Sequence, residues 1–149
     1  MLGQLQADLA AKEAEKTVKQ SERDKLDEIK NAIEELIAQF SSISKELRDV
    51  ILFLTSANKY LKISGDINGQ QYDDGKISGF SSQLSNNQSE VDVHIGDLEA
   101  IIREVEGDIT KLDDAISKLN EQIHELKVAI AQLWAETMNQ VRYGQQDSK

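Results

Sequence analysis

The chain contains no cysteine and no proline among its 149 residues. Without cysteine it can form neither disulfides nor thiolate zinc or iron–sulfur sites, and the cellular compartment stays undecided. Proline interrupts the interior of a helix, so its absence favours long continuous helices. Aromatic side chains make up only 5% of the residues, which argues against the core of a compact β-sandwich or barrel.

Long apolar runs are also missing from the sequence. The longest, Val50–Leu54, is far shorter than the roughly 18 residues that a membrane-spanning helix needs. The first residues, Met1-Leu2-Gly3-Gln4-Leu5-Gln6, lack the basic and apolar regions of a secretory signal peptide. We therefore expect no membrane insertion, and any export would use a route other than the general secretory one.

Basic residues are few relative to acidic ones. Seventeen Lys and Arg stand against 27 Asp and Glu, which gives a net charge of −10. Nucleic acids and anionic membrane surfaces attract Lys and Arg, so this balance argues against both as partners. The simplest interpretation is that the charge keeps an elongated surface soluble.

Two stretches have apolar residues at heptad spacing, and the stronger one covers residues 95–133. Isoleucine recurs every seven residues from Ile95 to Ile130, and Leu or Val follows each one three residues later, ending at Leu133. Such sustained spacing, with mostly polar residues between, predicts a long helix with a coiled-coil seam.

The second heptad stretch begins at Leu26. Its apolar residues are Leu26, Ile29, Ile33, Leu36, Phe40, Ile43, Leu47, Val50, Leu54, Ala57 and Leu61. Every residue in 50–54 is apolar, so we expect this part of the helix to be buried on more than one face. Upstream, residues 2–25 have only a thin apolar stripe, with a phase slip between Val18 and Leu26.

Glycine marks the segment between the two stretches. Four glycines lie within residues 64–79, together with Asn68, Asp73 and Asp74, and these residue types favour turns. We therefore predict an all-α, single-domain fold, an antiparallel two-helix coiled-coil hairpin that completes a bundle with partner helices. The predicted helices cover about 2–62 and 80–142, with a connector at about 64–78 and a polar tail at 144–149. Residue i would then face roughly residue 142 − i.

This register leaves one half of the hairpin poorly covered. The seam from Ile116 to Leu133 would face the thin stripe of residues 2–25, and an uncovered apolar seam loses several kcal/mol. We therefore expect this seam, widened by Trp134, and the apolar segment 50–54 to bind partner helices. The predicted partner-binding residues are Val50, Phe53, Leu54, Ile116, Leu119, Ile123, Leu126, Ile130, Leu133 and Trp134. Frayed ends or a homodimer are the alternatives.

No constellation of residues indicates an enzyme. His94 and His124 lie about 45 Å apart along one helix and cannot share a metal. The inward positions are Ile and Leu, whereas a diiron bundle needs inward Glu and His. Phosphate loops, nucleophile elbows and dinucleotide fingerprints do not occur. We therefore predict no catalytic residues, no metal and no cofactor.

One short motif follows the last heptad. Tyr143 and Asp147 form Y-x-x-x-D, which at helical spacing would place the ring and the carboxylate on one face. Gly144 within the motif weakens the case for a helix there. A frayed tail is the alternative interpretation.

Taken together, the chain resembles the small helical targeting partners of LXG toxins of the bacterial type VIIb (ESX-type) secretion system. Those proteins have similar length, a glycine-bearing bend between two long helices, and repeating Ile and Leu steps in the C-terminal helix. The matching steps here are Ile109-x-x-Leu112, Leu119-x-x-x-Ile123 and Leu126-x-x-x-Ile130. Tyr143 and Asp147 match the aromatic-x-x-x-acid export signal of type VII substrates, whereas Tyr72-Asp73-Asp74-Gly75 stands where a W-x-G would mark the bend.

The resemblance implies a protein of the bacterial cytoplasm that binds the helical N-terminal region of an LXG toxin, alone or with a second small helical partner. It would target the toxin to the secretion apparatus, with Tyr143 and Asp147 as the export signal, and could leave with its partner by a non-Sec route.

Two other interpretations stay open. One is a self-assembling coiled-coil scaffold, because Ile and Leu at alternating seam positions favour parallel pairing between chains. The other is a prefoldin-like chaperone subunit, which needs two β-hairpins between its helices. Residues 64–79 have too few alternating apolar residues to supply them.

Overall fold

The computed structural model describes residues 1–69 and 72–147, and their side chains as far as Gly144. Over these residues the fold consists of two long helices that pack against each other, α1 at Leu2–Asn68 and α2 at Gly75–Asp147, without strands. The predicted all-α helical hairpin is confirmed. Its basis is the long heptad pattern in a chain without proline to interrupt it.

Gly69 and Asp73 lie in the short segment between the two helices. Gly69 follows the end of α1 with a φ of 70°, in the left-handed region that glycine adopts without a steric penalty. The N–H of Gly69 donates to the carbonyl oxygen of Asp66 at 3.4 Å. At the start of α2, the Asp73 carboxylate accepts a hydrogen bond from the N–H of Gly75 at 2.9 Å, which satisfies a free donor of the first turn.

Both helices are longer than predicted. The predicted bounds near 62 and 80 are wrong, because α1 continues through Gly65 to Asn68 and α2 begins at Gly75. The predicted end at about 142 is also wrong, because α2 continues through Gly144 to Asp147. Glycine inside a helix costs only about 1 kcal/mol, so it ends a helix only where other signals agree.

The chain divides into two compact units. Unit 1 contains Met1–Glu28 and Val105–Lys149, and unit 2 contains Ile29–Glu104. Each unit is therefore built from one segment of α1 and one segment of α2. Unit 2 includes the bend, and unit 1 includes the first turns of α1 and the last turns of α2.

Polar contacts between the helices define the register in each unit. In unit 1, Arg23 contacts Asp113 at 2.6 Å and Glu13 contacts Lys127 at 3.9 Å. In unit 2, Ser44 bonds Asp92 at 2.7 Å and Asn58 bonds Ser78 at 3.4 Å. The residue numbers of three pairs add to 136 and those of Glu13 and Lys127 to 140. The helices are therefore antiparallel, with sums slightly smaller than the predicted 142.

The inward face of α1 keeps an unbroken heptad spacing from its first turn. Its buried or half-buried residues recur in steps of three and four: Leu2, Leu5, Leu9, Lys12, Lys16, Lys19, Arg23, Leu26, Lys30, Ile33, Ile37, Phe40, Ser44, Leu47, Ile51, Leu54 and Asn58. The predicted phase slip between Val18 and Leu26 is wrong, since Lys19 takes the inward position and Val18 is 57% exposed. Lys and Arg can occupy such positions because their methylene stems cover apolar surface while the charge stays in water.

The pairing within one chain can be tested by crosslinking, because the native chain has no cysteine. We expect Ser44→Cys combined with Asp92→Cys to be joined within a single chain by a short bifunctional thiol reagent, since the native side chains touch. The measurement is the mass of the product under denaturing conditions. Ser44→Cys with Glu99→Cys is the control, because Glu99 lies about 10 Å further along α2. Crosslinked dimers as the main product would favour parallel pairing between chains.

Candidate partner-binding surface

The seam of unit 1 that the sequence predicts to be poorly covered is partly covered by the chain itself. Leu119 and Ile123 are only 4% and 7% exposed. Both lie in the unit whose other segment is Met1–Glu28, so α1 supplies the cover. The inward residues of this part of α1 include Lys12, Lys16 and Lys19, whose stems extend the apolar contact. The expected poor cover of this seam is therefore wrong at Leu119 and Ile123, and binding of a partner by Ile116–Leu133 stays a prediction.

The other predicted binding residues of unit 1 differ in exposure. Ile116, Leu126, Ile130 and Leu133 are half-buried, and Trp134 is exposed. Trp134, Met138 and Val141 form a short exposed apolar stripe near the end of α2. Partner binding by these residues stays a prediction.

An ion pair crosses between the helices of unit 1 at Arg23. The guanidinium Nε donates to the Asp113 carboxylate at 2.6 Å, and this hydrogen bond, with the negative charge of Asp113, raises the pKa of Arg23. Both side chains are at least one third exposed, so water screens their attraction and the pair contributes little stability. The pair marks the register of the two helices in unit 1.

A groove of about 440 Å³ lies along unit 1. Ala11, Leu126 and Ala129 line it together with the charged residues Asp8, Lys12 and Glu125. The groove is present because the small side chains of Ala11 and Ala129 lie next to longer ones. Charges of both signs surround it, with no convergent set of polar groups of the kind that orients a small ligand.

In unit 2, half of the predicted seam positions on α1 are wrong by one residue. Ile33, Phe40, Leu47 and Leu54 face α2 as expected. The positions between them are taken by Lys30, Ile37, Ser44, Ile51 and Asn58 instead of Ile29, Leu36, Ile43, Val50 and Ala57. Ser44 is 5% exposed and donates to Asp92, and Asn58 donates to Ser78. Polar seam residues with such partners select one register at some cost in stability.

The displaced residues of α1 form a second apolar row beside the seam. Ile29, Leu36, Ile43 and Val50 are each 42% to 48% exposed, and Ala57 continues the row. In an antiparallel pair each helix places the same heptad position on a given side. The neighbours of Leu36, Ile43, Val50 and Ala57 on α2 therefore have numbers that add to 137 with theirs: Ile101, His94, Asn87 and Phe80. We call the surface made by Ile29, Leu36, Ile43, Val50, Ala57, Phe80, Asn87, His94 and Ile101 the apolar flank.

The opposite side of unit 2 is polar. Its row on α1 contains Glu34, Ser41, Arg48, Thr55 and Lys62, and its row on α2 contains Ser78, Ser85, Asp92 and Glu99. A hairpin that functions alone needs polar residues on both sides of its seam. The apolar flank is therefore an addition that the two-helix fold does not require.

Apolar side chains are buried more completely in unit 1 than in unit 2. Over the described residues, the buried apolar side chains are Val105, Ile109, Leu119 and Ile123, all in unit 1. Unit 2 has its apolar side chains half-buried or exposed, including Phe53, which lies beside Val50 and is mostly exposed. Of the predicted binding residues in unit 2, Val50 lies on the apolar flank, Phe53 borders it, and Leu54 faces α2.

Sequence reasoning missed Ile29, Leu36, Ile43, Phe80 and Ile101 as surface residues. The signal that could have found them is the spacing of Lys12, Lys16, Lys19 and Arg23, which continues the phase of Leu2, Leu5 and Leu9. Extended past Leu26, that phase assigns Lys30 and Ile37 to the seam. The row that begins at Ile29 is then left outside it.

The Tyr143 motif lies at the end of α2. The backbone from Tyr143 to Asp147 is helical, so the two residues have helical spacing across Gly144. The Tyr143 side chain is exposed. The side chain of Asp147 lies outside the described residues, and its role as an export signal stays a prediction.

Within residues 1–69 and 72–147, no group of three His, Asp or Glu residues is placed to hold a metal ion. No helix there combines the length and the apolar character needed to cross a membrane.

Comparison of the chain with protein-family models, curated proteins and solved structures gave no match. The function is therefore inferred from the apolar flank and from the resemblance carried by the sequence.

The assignment of flank and seam can be tested on two adjacent residues. Leu36→Asp should lower the free energy of unfolding by about 1 kcal/mol, because Leu36 is exposed and aspartate is a poorer helix former. Ile37→Asp should cost roughly 3 kcal/mol or more, because it places a charge in the seam. Urea unfolding followed by circular dichroism measures both. Equal losses would mean that Leu36 also faces α2.

Proposed function

We propose that this protein is a helical adaptor. It binds the helical N-terminal region of a secreted LXG-type toxin through the apolar flank of unit 2 and targets that toxin to the type VII secretion apparatus. The observation that supports binding is the row of half-exposed aliphatic residues on one side of a hairpin whose other side is polar. The resemblance of the sequence supports the toxin as the partner.

The flank offers apolar surface that contributes to association. Burying the exposed half of Ile29, Leu36, Ile43, Val50 and Ile101 yields on the order of 5 kcal/mol. That gain is gross, since association costs several kcal/mol of lost freedom. Phe53 and Phe80 at the edge increase the gain. This surface alone therefore supports only weak binding, and burial of the partner's own apolar stripe has to add to it.

The shape of the flank suits another helix. Two antiparallel helices leave a groove along each side of their seam, and residues every seven positions on both walls match the spacing of a third helix. Ile29 to Ala57 covers about four heptads, or roughly 42 Å of helix. A toxin region made of long helices has the length and periodicity to fill this groove.

Self-assembly into a coiled-coil scaffold is the second candidate. The same apolar flank favours it, because a second copy would present an equivalent row of aliphatic residues. The prefoldin-like alternative has less support. Among the described residues there is no strand, and only 69–74 separate the helices, too few for two β-hairpins.

Binding through the flank can be tested with one variant and a matched control. Ile43→Asp should abolish capture of a tagged toxin N-terminal region, because it places a charge at the middle of the groove. Leu52→Asp should bind as the native protein does, because Leu52 is exposed on another face. Isothermal titration on purified proteins measures both affinities. Undiminished binding by the Ile43 variant would eliminate the flank as the interface.

Delivery can be separated from binding at Tyr143. Tyr143→Ala should leave toxin affinity unchanged, because Tyr143 is far along the chain from the flank, but should block export if the motif is read by the secretion apparatus. Met138→Ala is the control, since Met138 is also exposed near the end of α2. The measurement is toxin in the culture medium relative to toxin in the cells. Normal export of the Tyr143 variant would reduce the motif to coincidence.

A further inference from the structure

The apolar flank is bordered by different residues on its two sides. On α2, the row next to Phe80, Asn87, His94 and Ile101 contains Lys76, Gln83, Glu90, Asp97 and Glu104, which are seven residues apart and exposed. On α1, the row next to Ile29, Leu36, Ile43 and Val50 contains Ala32, Gln39, Glu46 and Phe53. The wall on α2 is therefore acidic from Glu90 to Glu104, and the wall on α1 is mostly uncharged.

The three carboxylates of the acidic wall are not neutralised within the hairpin. In the part of the chain that the structure describes, no ion pair involves Glu90, Asp97 or Glu104. Successive members are about 10 Å apart along the helix, close to the distance at which salt screens charges from one another. A cation placed near each one would interact with it largely independently.

We propose that the apolar flank of unit 2 binds one amphipathic helix of about four heptads whose apolar stripe is bordered, on the side facing α2, by Lys or Arg every seven residues. This inference rests on the proposed function and specifies the chemistry of the partner. The aliphatic stripe of the partner fills the groove. Its basic row lies against Glu90, Asp97 and Glu104, which fixes the orientation and the register of the bound helix.

A second copy of this chain fits the groove less well. It carries the same acidic row at the border of its own flank, and the chain has a net charge of −10. Its cations in unit 2 lie mainly away from the flank, for example Lys45, Arg48 and Lys59. Two flanks brought together would therefore leave both acidic rows without opposing charge, and the repulsion between copies would oppose dimer formation.

The test uses the full-length protein and two designed helical peptides of about four heptads. Both peptides carry the same Leu and Ile stripe. One has Lys in the bordering row and the other has Glu. We expect the Lys peptide to bind about tenfold more tightly at low salt, as three exposed ion pairs would give, and the difference to shrink in 1 M salt. Fluorescence anisotropy of labelled peptide measures both affinities.

Two triple substitutions test whether the preference for the Lys peptide comes from the border row or from the net charge of the chain. The combination Glu90→Gln, Asp97→Asn and Glu104→Gln should remove most of the preference for Lys. The combination Glu35→Gln, Asp49→Asn and Glu99→Gln changes the net charge equally but lies off the flank and its border, so the preference should persist. Equal loss from both sets would overturn the proposal, because overall charge would then explain the effect.

The remaining outcomes separate this proposal from the proposed function. Equal binding of both peptides, abolished by Ile43→Asp, would overturn the basic row while keeping the flank as a binding site. If neither peptide binds and Ile43→Asp does not change toxin capture, both fail. A stable dimer in light scattering that Ile43→Asp converts to monomer would show that a second copy covers the flank, which also overturns the proposal.

Discussion

The register of α1 against α2 decides which apolar residues are buried and which stay exposed. In unit 2, α1 has two adjacent rows that could face α2, one starting at Ile29 and one at Lys30. On hydrophobicity alone the row of Ile29 would be preferred. The structure instead turns the row of Lys30 inward, where Ser44 and Asn58 bond to Asp92 and Ser78. The Ser44 hydroxyl and the Asn58 amino group are satisfied in this way, whereas the Asn58 Oδ1 is buried without a partner.

This choice gives the two units different properties. Unit 1 covers the strong seam of α2 with Leu9 and the stems of lysines, and it contains the residues that are buried best. The basic side chains of α1 are partly used at that seam, next to a surface that is otherwise acidic. Unit 2 has more aliphatic residues on α1, but only some of them lie between the helices. The other aliphatic residues form the apolar flank, so unit 2 is the unit that has apolar surface left to pack against a further helix.

The sequence predicts the helices and the hairpin because heptad spacing over many turns is hard to mistake for another structure. It predicts the bend only approximately, because Gly65 and Gly79 are inside helices while Gly69, with its positive φ, ends one. The surface is missed for a specific reason. If only apolar residues are counted, Lys12, Lys16 and Lys19 are assigned to the surface, and the heptad spacing is interrupted between Val18 and Leu26. Once long basic side chains are counted as seam residues, the phase continues and the row of Ile29 falls outside the seam.

The distinction between seam and flank also affects how a partner can bind. A partner that needed Leu119 and Ile123 would have to separate α1 from α2 in unit 1, and each aliphatic residue exposed in that step loses about 1.5–3 kcal/mol. Binding would then be slowed by the opening of the hairpin. The apolar flank imposes no such step, because its side chains are already half exposed beside a seam that stays closed. A third helix can add to unit 2 while both existing helices keep their contacts, so the flank is the surface through which association costs the protein least.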